Sequence, residues 1–284
     1  MKKIFFALIL FCSGIWVNAL EISEDFTYNN NFWKNGVSIS QSINYAMNIG
    51  LDFDLTEHKD IKNHIYTFSL PIMLRGEEFG LSLRPFWIPD NANNASAFGS
   101  KLFLTFNINY DDIEQIYSRA FFAVGFAAQD AYLVKTDLSL QKDNFYQLAY
   151  DGGVVFDYFN TYFFEIGGNI FEYLSGISSV ESFGGVLDQQ NIASLDTLNY
   201  VLNLPKGSAG IKITWNSKES MSENSLSYRF IEFYDKDISA HHSIKFSSKI
   251  ALNSNFFVGL AYNHIFISGQ KDKDIFKGAI SFRL

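Results

Sequence analysis

From Val37 to Leu55 the chain alternates, and only Gln41 breaks the apolar face. The odd positions read Val37, Ile39, Gln41, Ile43, Tyr45, Met47, Ile49, Leu51, Phe53 and Leu55, while the even positions carry only Ser, Asn, Ala, Gly or Asp. Side chains on a strand point alternately to its two faces, so this segment sets one face against something apolar and the other against water or small polar groups. Nineteen residues in one phase exceed the usual length of a soluble strand, about 3–10 residues. About 10 residues cross a bilayer in a barrel strand, and the rest can project beyond it. The pattern therefore predicts a membrane-crossing strand.

The same period returns in Tyr66, Phe68, Leu70, Ile72 and Leu74, in Leu102 to Ile108, in Tyr146 to Tyr158, and in Phe256, Val258, Leu260, Tyr262 and Phe266. The opposite phase holds Ser, Gly, Ala, Asn and occasional charges, as in Ser243, Lys245, Ser247, Lys249 and Ala251. A soluble sandwich would turn the bulky phase inward and cover its outside with long charged residues. Here the second phase is too small and too weakly charged for that, and it suits a lumen. The fold class expected is all-β: a transmembrane antiparallel up-and-down barrel of fourteen strands, with twelve as the alternative count.

The strands are expected at 37–55, 64–75, 80–88, 101–109, 117–128, 132–140, 145–158, 162–173, 175–186, 208–215, 225–234, 241–252, 256–267 and 274–284. The ninth alternates poorly and enters on parity, because a bacterial barrel has an even number of strands, short periplasmic turns and longer outside loops. This arrangement puts 56–63, 89–100, 187–207 and 268–273 outside, and 76–79, 141–144 and 253–255 at inner turns. The apolar content of 187–207 suits a loop that enters the pore mouth. Pro71 and Pro85 lack the N–H that a ladder needs, and bulges are expected there.

Two domains follow: a signal peptide over 1–19 and the barrel over 20–284. Lys2 and Lys3 precede an apolar run from Ile4 to Val17, and Val17-Asn18-Ala19 offers small residues for cleavage. That run is shorter than the ~20 residues of a spanning helix. Cys12 follows Phe11, where a lipoprotein site needs a small residue, so lipidation is not expected. Without Lys2 and Lys3 the 22 basic residues fall to 20 against 30 acidic ones, which removes electrostatic support for a nucleic-acid partner.

The last strand, Phe276 to Leu284, alternates to the final residue and contains Lys277, Gly278, Ile280 and Phe282. It resembles the terminal strand of bacterial outer-membrane β-barrels of the porin-like class, although Leu284 stands where Phe or Trp is usual and the glycine is one place from its common position. The resemblance implies insertion into the outer membrane, contact with its lipid, and recognition of this strand by the barrel-assembly machinery.

Candidate lumen-lining residues are Arg75, Arg84, Arg119, Lys212, Arg229, Lys245 and Lys249, with Asp151, Asp157 and Glu165. Opposed charges in a pore orient water and sort polar solutes, while the same charges paired across a plugged barrel would only stabilise it. The first function expected is a pore for small hydrophilic solutes. The alternative is a structural or surface-binding barrel. A lipid-modifying enzyme comes third, because His264 and Ser268, four apart on a strand, would lie ~13 Å from each other, too far for a nucleophile and its base. His241 and His242 point to opposite faces of a strand, and no cofactor, metal or catalytic residue is expected.

Overall fold

The computed structural model describes residues 19–29, 32–58, 63–89, 96–111, 116–134, 140–173, 205–217, 221–233, 239–269 and 271–284. The expected signal segment, up to residue 18, lies outside them, as does the expected strand at 175–186. The described chain forms β1 (Ala19–Tyr28), β2 (Phe32–Asn44), β3 (Met47–His58), β4 (Asn63–Ser69), β5 (Ile72–Arg75), β6 (Phe79–Ile88), β7 (Ser96–Asp111) and β8 (Ile116–Val134). It continues through β9 (Leu140–Tyr158), β10 (Tyr162–Tyr173), β11 (Pro205–Ser217), β12 (Ser222–Phe233), β13 (His241–Ala251), β14 (Phe256–Ile267) and β15 (Lys273–Arg283).

Each strand pairs antiparallel with its sequence neighbour, and β1 pairs with β15 from Glu21–Arg283 to Tyr28–Phe276. The sheet is thereby a closed barrel with no free edge. β4 and β5 are two halves of one strand, because their registers against β3 (Asp52–Ser69, Ile49–Ile72) and against β6 (Ser69–Phe86, Ile72–Leu83) are continuous. The 15 segments thus make fourteen wall strands. The gap falls at Leu70 and Pro71, opposite Pro85, so both prolines sit where rungs are missing. Only donors are lost, since Gly50 N–H donates to the Pro71 carbonyl (2.8 Å) and Leu70 N–H to that of Pro85 (3.0 Å). No bulge forms there, contrary to expectation; the strand lapses and resumes in register.

Fourteen is the expected number, and most strands lie where expected; the differences fall at the start of the barrel and on either side of β9 and β10. The segment 37–55 is a hairpin, and β1 precedes it. Asn44 turns the chain by accepting from Ala46 N–H (2.8 Å). The two-residue turn, Tyr45 and Ala46, sets Asn44 opposite Met47, and a bulge between Ser42 and Asn44 then shifts the register by one residue, so that Ile39 stands opposite Leu51 and Val37 opposite Phe53 and the alternation runs through the hairpin. Conversely, the expected inner turn 141–144 is strand: Asp130–Asn144 and Tyr132–Lys142 are rungs of the long β8–β9 pair. β10 pairs directly with β11, which leaves no place between them for a ninth strand at 175–186.

The outward phase is a continuous apolar belt that includes Ile22, Phe26, Leu51, Phe68, Leu102, Phe122, Ile166, Ile211, Leu226, Phe246, Leu260 and Ile280, all exposed. Glu24 interrupts this phase, its carboxylate accepting from the Asn35 amide at 3.0 Å. The short turns between β2 and β3, β5 and β6, β9 and β10, and β13 and β14 share one end of the barrel with the C-terminus, where Leu284 N–H donates to the Leu20 carbonyl at 2.8 Å. The connections after β1, β3, β6, β8, β10, β12 and β14 leave from the other end.

Candidate functional site

The inward phase encloses a central cavity of about 850 Å³ in the half nearer the short turns. Serines and small residues (Ser23, Ser38, Ser40, Ser225, Ser247, Ser281, Ala261, Ala279) line it together with ionisable side chains.

On the wall formed by β15, β1, β2, β3 and β6, each carboxylate has a cationic partner. Lys277 Nζ lies 3.2 Å from Asp25, Lys34 Nζ 3.0 Å from Asp54, Arg84 Nη2 2.5 Å from Asp52, and Arg283 Nη2 2.9 Å from Glu21. Asp52 also accepts from Ser38 Oγ (2.5 Å) and Ser69 Oγ (3.1 Å). Gly36 lies between Asp25 and Asp54, where a Cβ would collide with both carboxylates; only glycine lets them stand side by side. On the facing wall Lys212, Lys245 and Lys249 line the cavity. Lys249 Nζ sits 5.0 Å from the centre of the Phe257 ring, within cation–π range.

Of the ten candidates from the sequence, Arg84, Lys212, Lys245 and Lys249 line this cavity. Asp151 and Glu165 border a smaller cleft beside Phe121, whose ring lies over Gly153 and Gly167. Asp151 is ion-paired to Lys101, both nearly buried. Arg229 is 1% exposed and donates through Nε and Nη2 to Ser208 Oγ (2.8 and 2.6 Å), which donates in turn to Asn169 Oδ1 (2.8 Å). Asp157 accepts from Asn160 N–H at 3.0 Å, fastening the β9–β10 turn, and Arg119 acts electrostatically on Asp157 and Glu165. Arg75 stands at the rim with Asn44, Tyr45 and Asn48. The sequence reading passed over Glu21, Asp25, Lys34, Asp52, Asp54, Lys101, Glu223 and Lys277. Asp52 and Asp54 occupied the small polar phase of 37–55, and that was the available signal.

Toward the opposite end the inward phase becomes apolar and buried: Ile65, Phe86, Ile88, Phe171, Ile231 and Phe233 form one cluster, and Ile265, Ile267 and Ile275 another. His241 is buried against the Phe233 ring (4.7 Å), while His242 faces outward to Tyr228 Oη (2.7 Å). His264, also outward, meets Asp274 at 2.7 Å, and its polar partners among the described residues are Tyr262, Asp272 and Asp274.

Solved structures share this architecture. The CymD monoaromatic hydrocarbon channel superimposes with a TM-score of 0.55 at 9% identity, over 93% of this chain and 87% of that one. OccAB1 of Acinetobacter baumannii gives 0.53 at 8% identity, over 95% and 98%. CdiB from Acinetobacter baumannii gives 0.50 at 9% identity, over 94% of this chain and 60% of that one. No protein-family model and no curated protein matches the sequence. The fold is that of these outer-membrane β-barrels, a closed antiparallel barrel.

Proposed function

We propose that this chain is exported by its N-terminal segment, resides in the outer membrane, and forms a channel for small hydrophilic solutes. The observation that carries this is the polar cavity of about 850 Å³ within a closed barrel, lined by ionisable side chains that water must reach. A barrel of ~8 strands is filled by its side chains while 16–18 strands leave a wide channel, so fourteen leaves a modest passage. The likeness to CymD, a monoaromatic hydrocarbon channel, supports conduction as the class of function. The lining here is polar, and the solute we assign is therefore hydrophilic. The apolar residues of the far half act as a constriction of the kind that gates by dewetting.

A second reading is a structural barrel that conducts nothing. It is favoured by the complete burial of Ile88 and Ile231. Single-channel recording on purified protein in planar bilayers separates the two: discrete conductance steps support the channel, and a folded barrel without conductance overturns it. The segment between β10 and β11 leaves and re-enters the wall at the end opposite the short turns. We assign that end to the cell exterior and 187–204 to a long outer loop; Pro205 to Gly207, expected in the loop, begin β11. An epitope tag at Gln190 is expected to label on intact cells, and labelling only after the outer membrane is opened would reverse the orientation. The final strand, β15, is the element we assign to the assembly machinery.

A further inference from the structure

We infer that the central cavity selects small hydrophilic anions, through Lys212 and Lys249. The inference rests on the channel reading above and adds the solute's charge. The chain as a whole carries a formal charge of −8, yet the cavity is lined by seven cationic side chains and five carboxylates. The sign of the lining is therefore opposite to that of the protein.

The arrangement strengthens the imbalance. Four of the five lining carboxylates stand on β1 and β3, each within 3.2 Å of a cationic nitrogen. A tight ion pair acts on a passing solute as a dipole, whose field falls off faster than that of a single charge. The β11–β13 wall is built differently. Glu165 and Glu223 oppose Lys212 and Lys249 in register, but neither lysine forms an ion pair among the described residues. The field of these ammonium groups reaches into the cavity, and their N–H donors face an entering solute. Low-dielectric walls around the space concentrate that field, and Lys or Arg lining is how anion pores exclude cations. A carboxylate or phosphate solute would meet cationic donors on one wall and hydroxyl groups of the lining serines.

The test is the reversal potential of purified protein in planar bilayers under a potassium chloride gradient. The wild-type barrel is expected to pass chloride several-fold more readily than potassium. Charge reversal at Lys212→Glu with Lys249→Glu should invert that preference, and Lys212→Gln with Lys249→Gln, which perturbs folding less, should move it part of the way. Lys206→Glu makes the same change of charge at a residue that pairs with exposed Glu232 (2.9 Å) outside the cavity, and should leave the reversal potential unchanged. A conducting barrel that prefers potassium, or whose selectivity ignores the cavity lysines, overturns the anion assignment and leaves the channel standing. A folded wild-type barrel with no conductance overturns the channel reading, and the anion assignment falls with it.

Discussion

The two halves of the barrel interior are built from the same strands and differ completely in chemistry. Along β12 the inward residues run Ser225, Ser227, Arg229, Ile231, Phe233; along β6, Ser82, Arg84, Phe86, Ile88; along β14, Ala261, Asn263, Ile265, Ile267. β4 and β5, entering from the other end, run Ile65, Thr67, Ser69 and then Met73. Each of these strands passes from small or charged, through hydrogen-bonding, to apolar, whereas the inward phase of β1 ends on Thr27 and that of β13 begins on His241 and Ser243. Buried Arg229, Asn169, Lys101 and Asp151 mark the boundary. One barrel thus separates two kinds of interior by height: one half packs its side chains as a core, and the other holds charged groups around a cavity.

The largest expected effect follows from that division. Phe171 is 1% exposed in the packed half, so Phe171→Ala should destabilise the barrel by about 3–5 kcal/mol, the usual result of emptying a buried aromatic site. Phe103 borders the hydrated cavity, where water can refill the space, and Phe103→Ala should cost less than half as much. Urea unfolding in lipid vesicles measures both. Equal losses would mean that the cavity half is packed as well.

The outer wall gives the next largest effect. Leu260 is 64% exposed in the outward belt, and Leu260→Arg should impair folding by ~2–4 kcal/mol near the bilayer midplane. Folding yields in vesicles equal to wild type would place this surface out of lipid.

How much of this was legible in the sequence varies with height and strand. The outward belt was readable almost residue by residue, because lipid demands bulky apolar groups at every second position. The strand count came out at fourteen through errors of opposite sign. A tight turn at Tyr45 and Ala46, offset by the bulge between Ser42 and Asn44, left the alternation intact and hid a hairpin, while β1, with Glu24 in its apolar phase, was overlooked. Polar Gln141 to Asn144 imitated a turn although their backbone pairs with β8. The candidate cations Lys212, Lys245 and Lys249 were legible from phase alone. Arg229 shared that phase yet lies in the buried layer, since a strand pattern reports which face a side chain takes and not how high on the barrel it sits. Ion pairs such as Lys34–Asp54 needed the register of β2 against β3, which a misplaced strand cannot provide.

A smaller effect probes the paired wall. Asp52→Asn removes the partner of Arg84 but keeps hydrogen bonding to Ser38 and Ser69. With Arg84 more than a third exposed, solvent screening limits the stability loss to about 1 kcal/mol. The same change leaves an unmatched guanidinium on the cavity wall. Chloride preference should therefore rise, in the direction opposite to that caused by reversing the lysines. A fall in preference would mean that Asp52 acts on the solute as part of a pair rather than as a cancelled charge.

The smallest expected effect compares neighbours one residue apart. Ala261 is next to Leu260 but takes the inward phase and lines the cavity. Ala261→Ser adds a hydroxyl among the inward serines and asks nothing of lipid. Its side chain meets water, so the hydroxyl needs no protein partner, and the change should alter stability by less than about 0.5 kcal/mol. The value of this substitution lies in its contrast with Leu260→Arg, because a strand displaced by a single residue exchanges its two faces. With the register Ala261–Ser247 and Leu260–Ser248, folding yield in vesicles should separate the two variants widely. If Ala261→Ser lost as much yield as Leu260→Arg, the cavity side of β14 would be packed tightly rather than hydrated, and the division of the interior by height would fail on this strand.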